Sequence, residues 1–157
     1  MRVGIATDHG GFGLKEELLS QLHAAGNEVV GFGANSLSER NDYRDYVLPL
    51  AHAVVAGKVE RGIAICGSGV GASVCANKVP GVRATLIHDH FSAKQRAQDD
   101  HMNILCMGGR TVGPFVQAFL QAKYSQESRH LRRLAKIVAI FVRRNPHGWY
   151  ELRLVNA

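Results

Sequence analysis

Two kinds of apolar pattern alternate along the chain. Short unbroken apolar runs occur at "RVGIAT" (Arg2–Thr7), "EVVGFG" (Glu28–Gly33), "RGIAIC" (Arg61–Cys66), "VRATLI" (Val82–Ile87) and "NILCMGG" (Asn103–Gly109). Runs of this length with no polar alternation predict strands buried on both faces of a parallel sheet. Between them the spacing becomes helical. Leu14, Leu18 and Leu22 recur four residues apart, and Gly26 supplies a stop. "YVLPLAHAVVAG" (Tyr46–Gly57) predicts a second helix with Pro49 in its first turn, preceded by a polar loop over Asn35–Tyr43. Further helices are predicted from the glycine loop after Cys66 to about Lys78, over Ser92–Asp100, over Thr111–Tyr124 and, as one longer helix, over Ser125–Arg144.

This alternation predicts an α/β fold: a three-layer sandwich around a doubly wound, Rossmann-like parallel sheet of five strands, with right-handed connections. Residues 1–144 read as one domain. Residues 145–157, "NPHGWYELRLVNA", have no place in that scheme and read as a C-terminal tail.

Composition narrows the setting. The chain has 157 residues, 46% of them hydrophobic and 20% charged, which suits a single globular domain with a sizeable core. Every long apolar stretch is interrupted by charge, so no membrane span is expected. The N-terminal run is broken by Asp8 and lacks a signal-peptide pattern. Cys66, Cys75 and Cys106 are odd in number and form no Cys-x-x-Cys pair. That argues against a disulfide framework or a zinc knuckle and for a reducing cytoplasm. The net charge of +6 comes largely from the C-terminal third, where "RHLRRLAK" (Arg129–Lys136) stands beside Arg143, Arg144 and Arg153. A basic helix can bind nucleic acid, hold a phosphate or simply face solvent. No aromatic residues interleave with these arginines as a single-strand platform needs, so no nucleic-acid partner is expected.

In open α/β sheets, ligands bind beyond the C-terminal ends of the strands. Those ends carry Asp8-His9, Cys66-Gly67-Ser68-Gly69, His88-Asp89-His90 and Gly108-Gly109-Arg110. "GSGVG" (Gly67–Gly71) opens a helix after a strand, where backbone N–H groups and the helix end favour an anion. It lacks the lysine of a phosphate-binding P-loop and the spacing of a dinucleotide fingerprint. A tight strand-to-helix turn with no ligand is the lesser alternative, and by itself the motif is weak. Cys66 precedes it. A free thiol titrates at about 8.5, and a helix N-terminus lowers that value, yet free cysteine is also among the most buried residue types. Arg129 and Arg133 lie one helical turn apart, a spacing that suits a phosphate.

Together these pieces resemble the ribose-5-phosphate isomerase B family, which includes the galactose-6-phosphate isomerase subunits. The stretches that carry the resemblance are "DHGGFGLKEEL", "DYRDY", "GIAICGSGVGASVCANKVPGVRA", "NILCMGGRTVG" and "RHLRRL", in family order over roughly the first 135 residues. The resemblance implies an aldose–ketose isomerase of a small sugar phosphate, working through a cis-enediol with neither metal nor cofactor. It implies Cys66 as the base that moves the proton between C1 and C2. Some members use a Glu six positions later, where this chain has Ala72. Ser68 and Asp8 would pass protons between O1 and O2. The amides of Gly67, Gly69 and Gly71 would hold the enediolate, with Val70 and Tyr43 lining the pocket. His9, Arg110, Arg129 and Arg133 would bind phosphate. It also implies a homodimer or homotetramer with the site between subunits.

One stretch departs from the family. Where the usual pattern is His-Asn-Asp-x-Asn, this chain has Asp99-Asp100-His101-Met102-Asn103. The ring-opening histidine becomes Asp99 and a sugar contact becomes Asp100. Two substrates follow. Ribose 5-phosphate closes a furanose ring that must be opened, by Asp99 or a nearby histidine. A tetrose 4-phosphate has O4 esterified and needs no such step. A sugar-phosphate-binding module without turnover is the remaining alternative.

Overall fold

The computed structural model describes residues 1–33, 41–109, 115–138, 140–144 and 150–154. Its centre is a five-stranded, all-parallel sheet formed by β1 (Arg2–Thr7), β2 (Glu28–Gly31), β3 (Arg61–Cys66), β4 (Ala84–Leu86) and β5 (Ile104–Gly108), in the order β2-β1-β3-β5-β4. The connecting helices are α1 (Phe12–Ala24), α2 (Arg44–Val55), α3 (Val70–Ala76) and α4 (His90–Asp99); α5 (Phe115–Gln121) and α6 (Ser128–Val138) follow β5. The expected doubly wound sheet is therefore present.

The period of two along each strand divides the core between the faces. Val3, Ile5, Ile63, Ile65, Leu105 and Met107 pack with Leu14, Leu18 and Leu22 of α1 and with Ala93 and Ala97 of α4. The alternate positions Ala6, Ala64, Cys66, Ile104 and Cys106 pack with Val47, Leu50 and Ala51 of α2 and with Ala72 and Ala76 of α3. Gly4 and Gly62 lie on this second face. A Cβ at Gly62 would sit 3.3 Å from Leu50 Cδ1, and one at Gly4 would collide with the same methyl. Small residues here let α2 lie close against the sheet, and the period of two places Cys66 on the same α2–α3 side.

Three boundaries differ from the sequence expectation. α2 begins two residues early, at Arg44, because Asp42 turns the chain into it: Arg44 N–H donates to Asp42 Oδ1 at 3.0 Å. Pro49 therefore lies past the first turn. α4 begins at His90 because Asp89 caps it, accepting from Ser92 N–H at 2.8 Å. The long C-terminal helix ends at Val138. Ile140–Arg144 is instead a strand, β6, antiparallel to β7 (Tyr150–Leu154). The run Ile140-Phe141-Val142 is β-branched and aromatic, which favours a strand over a further helical turn.

Among the described residues no helix is long and apolar enough to cross a membrane, and no cluster of His, Cys, Asp and Glu is placed to hold a metal ion.

Candidate active site

The strand order reverses between β1 and β3, whose outgoing chains diverge and leave a crevice at their C-terminal ends. Three loops meet there. Asp8 caps a single 3-10 turn, His9–Gly11, and accepts from Gly10 N–H at 2.9 Å. Gly10 lies against the next loop; its Cβ would fall 2.8 Å from Gly67 N. Gly109, after β5, donates its N–H to Cys66 O at 2.7 Å, and a Cβ on it would overlap Gly10 O. A Cβ on Gly108 would press on Ser68 at 3.1 Å. The rim is thus closed by backbone against backbone.

Gly69 is constrained by its backbone conformation as well as by space. Its φ is +80°, and a Cβ would lie 2.5 Å from Leu86 Cδ1 and 2.7 Å from the Met107 carbonyl carbon. The left-handed turn aims its N–H at Cys66 Sγ, 3.1 Å away. This sets a backbone donor against the Cys66 sulfur at the end of β3. The other two thiols are shifted by their surroundings. Burial pushes the Cys106 thiol far above its ordinary range, and burial also raises that of Cys75. Only Cys66, of the three, has its sulfur at a strand's C-terminal end facing a donor.

Other predicted site residues gather at the same rim. Tyr43 lies over the start of α3, since a Cβ on Gly71 would fall 2.7 Å from its ring. Ser68 and Val70 are exposed. His9 is exposed and held by Asn41: its backbone N–H donates to Asn41 Oδ1 at 3.0 Å, and its Nδ1 lies 2.8 Å from the same oxygen. Asn41 was missed in the sequence. Its only signal was a short polar residue in a loop, which every turn provides. His88 and His90 flank the α4 cap and are exposed. Arg110 lies outside the described residues.

Asp99, Asp100 and Arg129 stand elsewhere. α4 runs back against the strands, so its last residues reach the N-terminal end of the sheet. There Gly62 N–H donates to Asn103 O at 2.9 Å, and Cys66 is four residues further along β3, about 13 Å of strand. Asp99 Oδ1 lies 3.6 Å from Nδ1 of His130, a side chain only 2% exposed. Ser125 Oγ is 2.6 Å from the same nitrogen. Arg129 Nε donates to His130 Nε2 at 3.0 Å, and its head pairs with Glu127 at 2.9 Å. Asp100 pairs with Arg96 at 2.6 Å. Arg133 is exposed one turn along α6. His101 leaves the helix with φ +53° and stacks on Tyr124, ring centroids 4.6 Å apart. Within one chain, then, the predicted residues form two groups at opposite ends of the sheet.

The family model described as Ribose/Galactose Isomerase matches residues 3–137. The chain belongs to this family. Similar relatives include "Ribose-5-phosphate isomerase B" of Escherichia coli, 42% identical over 149 residues, covering 92% of this chain and 99% of the relative. "D-erythrulose-4-phosphate isomerase" of Pectobacterium atrosepticum is 32% identical, covering 79% and 85%. Among solved structures, the ribose-5-phosphate isomerase B of Clostridium thermocellum superposes with a TM-score of 0.83 at 40% identity, covering 88% of this chain and 95% of that one. The resemblance read from "CGSGVG" and its companion motifs is borne out.

Proposed function

We propose that the chain is a cytoplasmic aldose–ketose isomerase that interconverts ribose 5-phosphate and ribulose 5-phosphate. The observation that carries this is the Cys66 sulfur set 3.1 Å from the Gly69 N–H at the C-terminal end of β3. The Cys66 thiolate takes the proton from C2 of the open-chain aldose. The C2–H electron pair becomes the C1=C2 bond, and the C1 carbonyl oxygen becomes an enediolate. The amides of Gly67, Gly69 and Gly71 hold that charge. Cys66 returns its proton to C1, while Ser68 and Asp8 move the hydroxyl proton from O2 to O1. The names of the relatives support the substrate.

The second group of residues completes the site from another copy. Two subunits place the Arg129–Arg133 face and Asp99-Asp100 of one beside the Cys66 rim of its partner, and the arginines, with His9 and Arg110, bind the phosphate. A homodimer is the smallest assembly that does this.

A tetrose 4-phosphate is the second substrate reading. It is favoured by Asp99, whose carboxylate is turned toward His130 in place of the family's ring-opening histidine. A coupled assay with ribose 5-phosphate and erythrose 4-phosphate separates the two. Faster turnover of ribose 5-phosphate, slowed by Asp99→Ala, supports the pentose. Faster turnover of erythrose 4-phosphate, indifferent to Asp99→Ala, supports the tetrose.

A further inference from the structure

Asn41 makes two contacts with His9 through one oxygen. The backbone N–H of His9 donates to Asn41 Oδ1 at 3.0 Å, and His9 Nδ1 lies 2.8 Å from that oxygen. The backbone contact fixes the amide's orientation: turned over, Nδ2–H would face the His9 N–H, donor against donor. Asn41 Nδ2 is buried and has no partner of its own, so no competing bond favours the turned form. An amide oxygen only accepts. His9 Nδ1 must therefore carry a proton.

We infer that Asn41 is a positioning residue that holds neutral His9 in its Nδ1–H form, so that His9 grips the substrate phosphate only as the imidazolium. With Nδ1 protonated, Nε2 of the neutral ring is a bare acceptor that repels a phosphate oxygen. Adding a proton turns Nε2 into a charged donor and leaves the Asn41 contact intact, since both nitrogens then donate. Asn41 thus tolerates the cation and excludes the one neutral form that could still donate from Nε2. The inference rests on His9 being a phosphate ligand. The other ionisable groups on the elements around His9 are already engaged or act on charge alone. Asp8 accepts from Gly10 N–H, Asp42 is paired with Arg44, Tyr43 precedes α2 and Cys66 ends β3. None of them selects between the two ring nitrogens.

Two measurements on the full-length protein test this. In ¹⁵N-histidine-labelled protein, with His9 assigned through His9→Gln, neutral His9 should show a protonated Nδ1 and a bare Nε2. Asn41→Val should shift it toward the Nε2–H form that a free histidine side chain prefers. A protonated Nε2 in the parent, or no shift in Asn41→Val, overturns the role of Asn41 whatever the activity. In steady-state kinetics with ribose 5-phosphate, KM of the parent should rise several-fold as His9 loses its proton. The rise should be smaller in Asn41→Val and should move to higher pH in Asn41→Asp, whose carboxylate keeps the contact and favours the cation. If the tautomer is as stated but the KM profile of His9→Gln matches the parent's, His9 is not a phosphate ligand and the proton-dependent grip is overturned with it.

Discussion

The two ends of the sheet are built from different materials. At the C-terminal ends of β1, β3 and β5, contacts are made by backbone. Gly10 meets Gly67, Gly109 meets Gly10, and Gly69 turns its N–H to Cys66 Sγ. At the N-terminal end, contacts are made by side chains: Asp99, Ser125 and Arg129 around His130, and Arg96 with Asp100. Backbone donors cannot change rotamer, so the first end suits a charge that develops in a transition state. Side-chain pairs reorganise, so the second end suits recognition, where one residue can be exchanged without dismantling the loop. The substitution of Asp99-Asp100 for the family's His-Asn falls at this second end.

Substitutions should separate the two ends by size of effect. Cys66→Ala should leave the fold intact and lower kcat by about 10²–10⁴-fold or more, the range for a lost general base. Retained turnover in that variant would remove Cys66 from the mechanism. Gly69→Ala should come next. It demands φ +80° of an alanine and sets a Cβ 2.7 Å from the Met107 carbonyl carbon. The left-handed conformation alone costs about 1–2 kcal/mol, so urea denaturation should show a loss of at least that size together with weakened activity. An unchanged midpoint would mean the loop relaxes freely.

The smallest effect belongs to the other end. Burial, with the Arg83 and Arg61 charges, pushes the His101 imidazole below its ordinary range. The folded state then binds fewer protons there than the unfolded chain. Stability from this site is full above the ordinary imidazole range and falls as the pH drops through it toward the lowered value. The urea midpoint should be lower at pH 5.5 than at pH 7.5, and His101→Asn, which tolerates positive φ, should reduce that difference. An equal difference in both proteins would assign the pH dependence to other groups.

Much of the rim was legible in the chain. Unbroken apolar runs ending in Asp8-His9 and Cys66-Gly67 placed both motifs at strand ends, and the parallel sheet placed those ends together. The burial pattern that sets Cys66 on the α2–α3 face follows from a period of two. Less could be read where long-range contacts decide. Nothing in the spacing of Asp99 and His130 says that α4 and α6 bring them within 3.6 Å, or that His9 borrows its orientation from Asn41, thirty-two residues away. The helix expected to run to Arg144 fails for a local reason that was visible. Beyond Ile137 the residues turn β-branched and aromatic, and Tyr150–Leu154 supplies a strand for Ile140–Arg144 to pair with.

The claim that the two ends meet across subunits can be tested by complementation. One variant carries Cys66→Ala. The other carries Arg129→Ala with Arg133→Ala. Each should be nearly inactive alone with ribose 5-phosphate. When the two are co-expressed, about half of a randomly mixed dimer population is hybrid, and each hybrid holds one site built from two unaltered halves. Activity should recover to about a quarter of the parent's. If the mixed protein stays as inactive as its components while hybrids are demonstrably present, the two ends do not share a site.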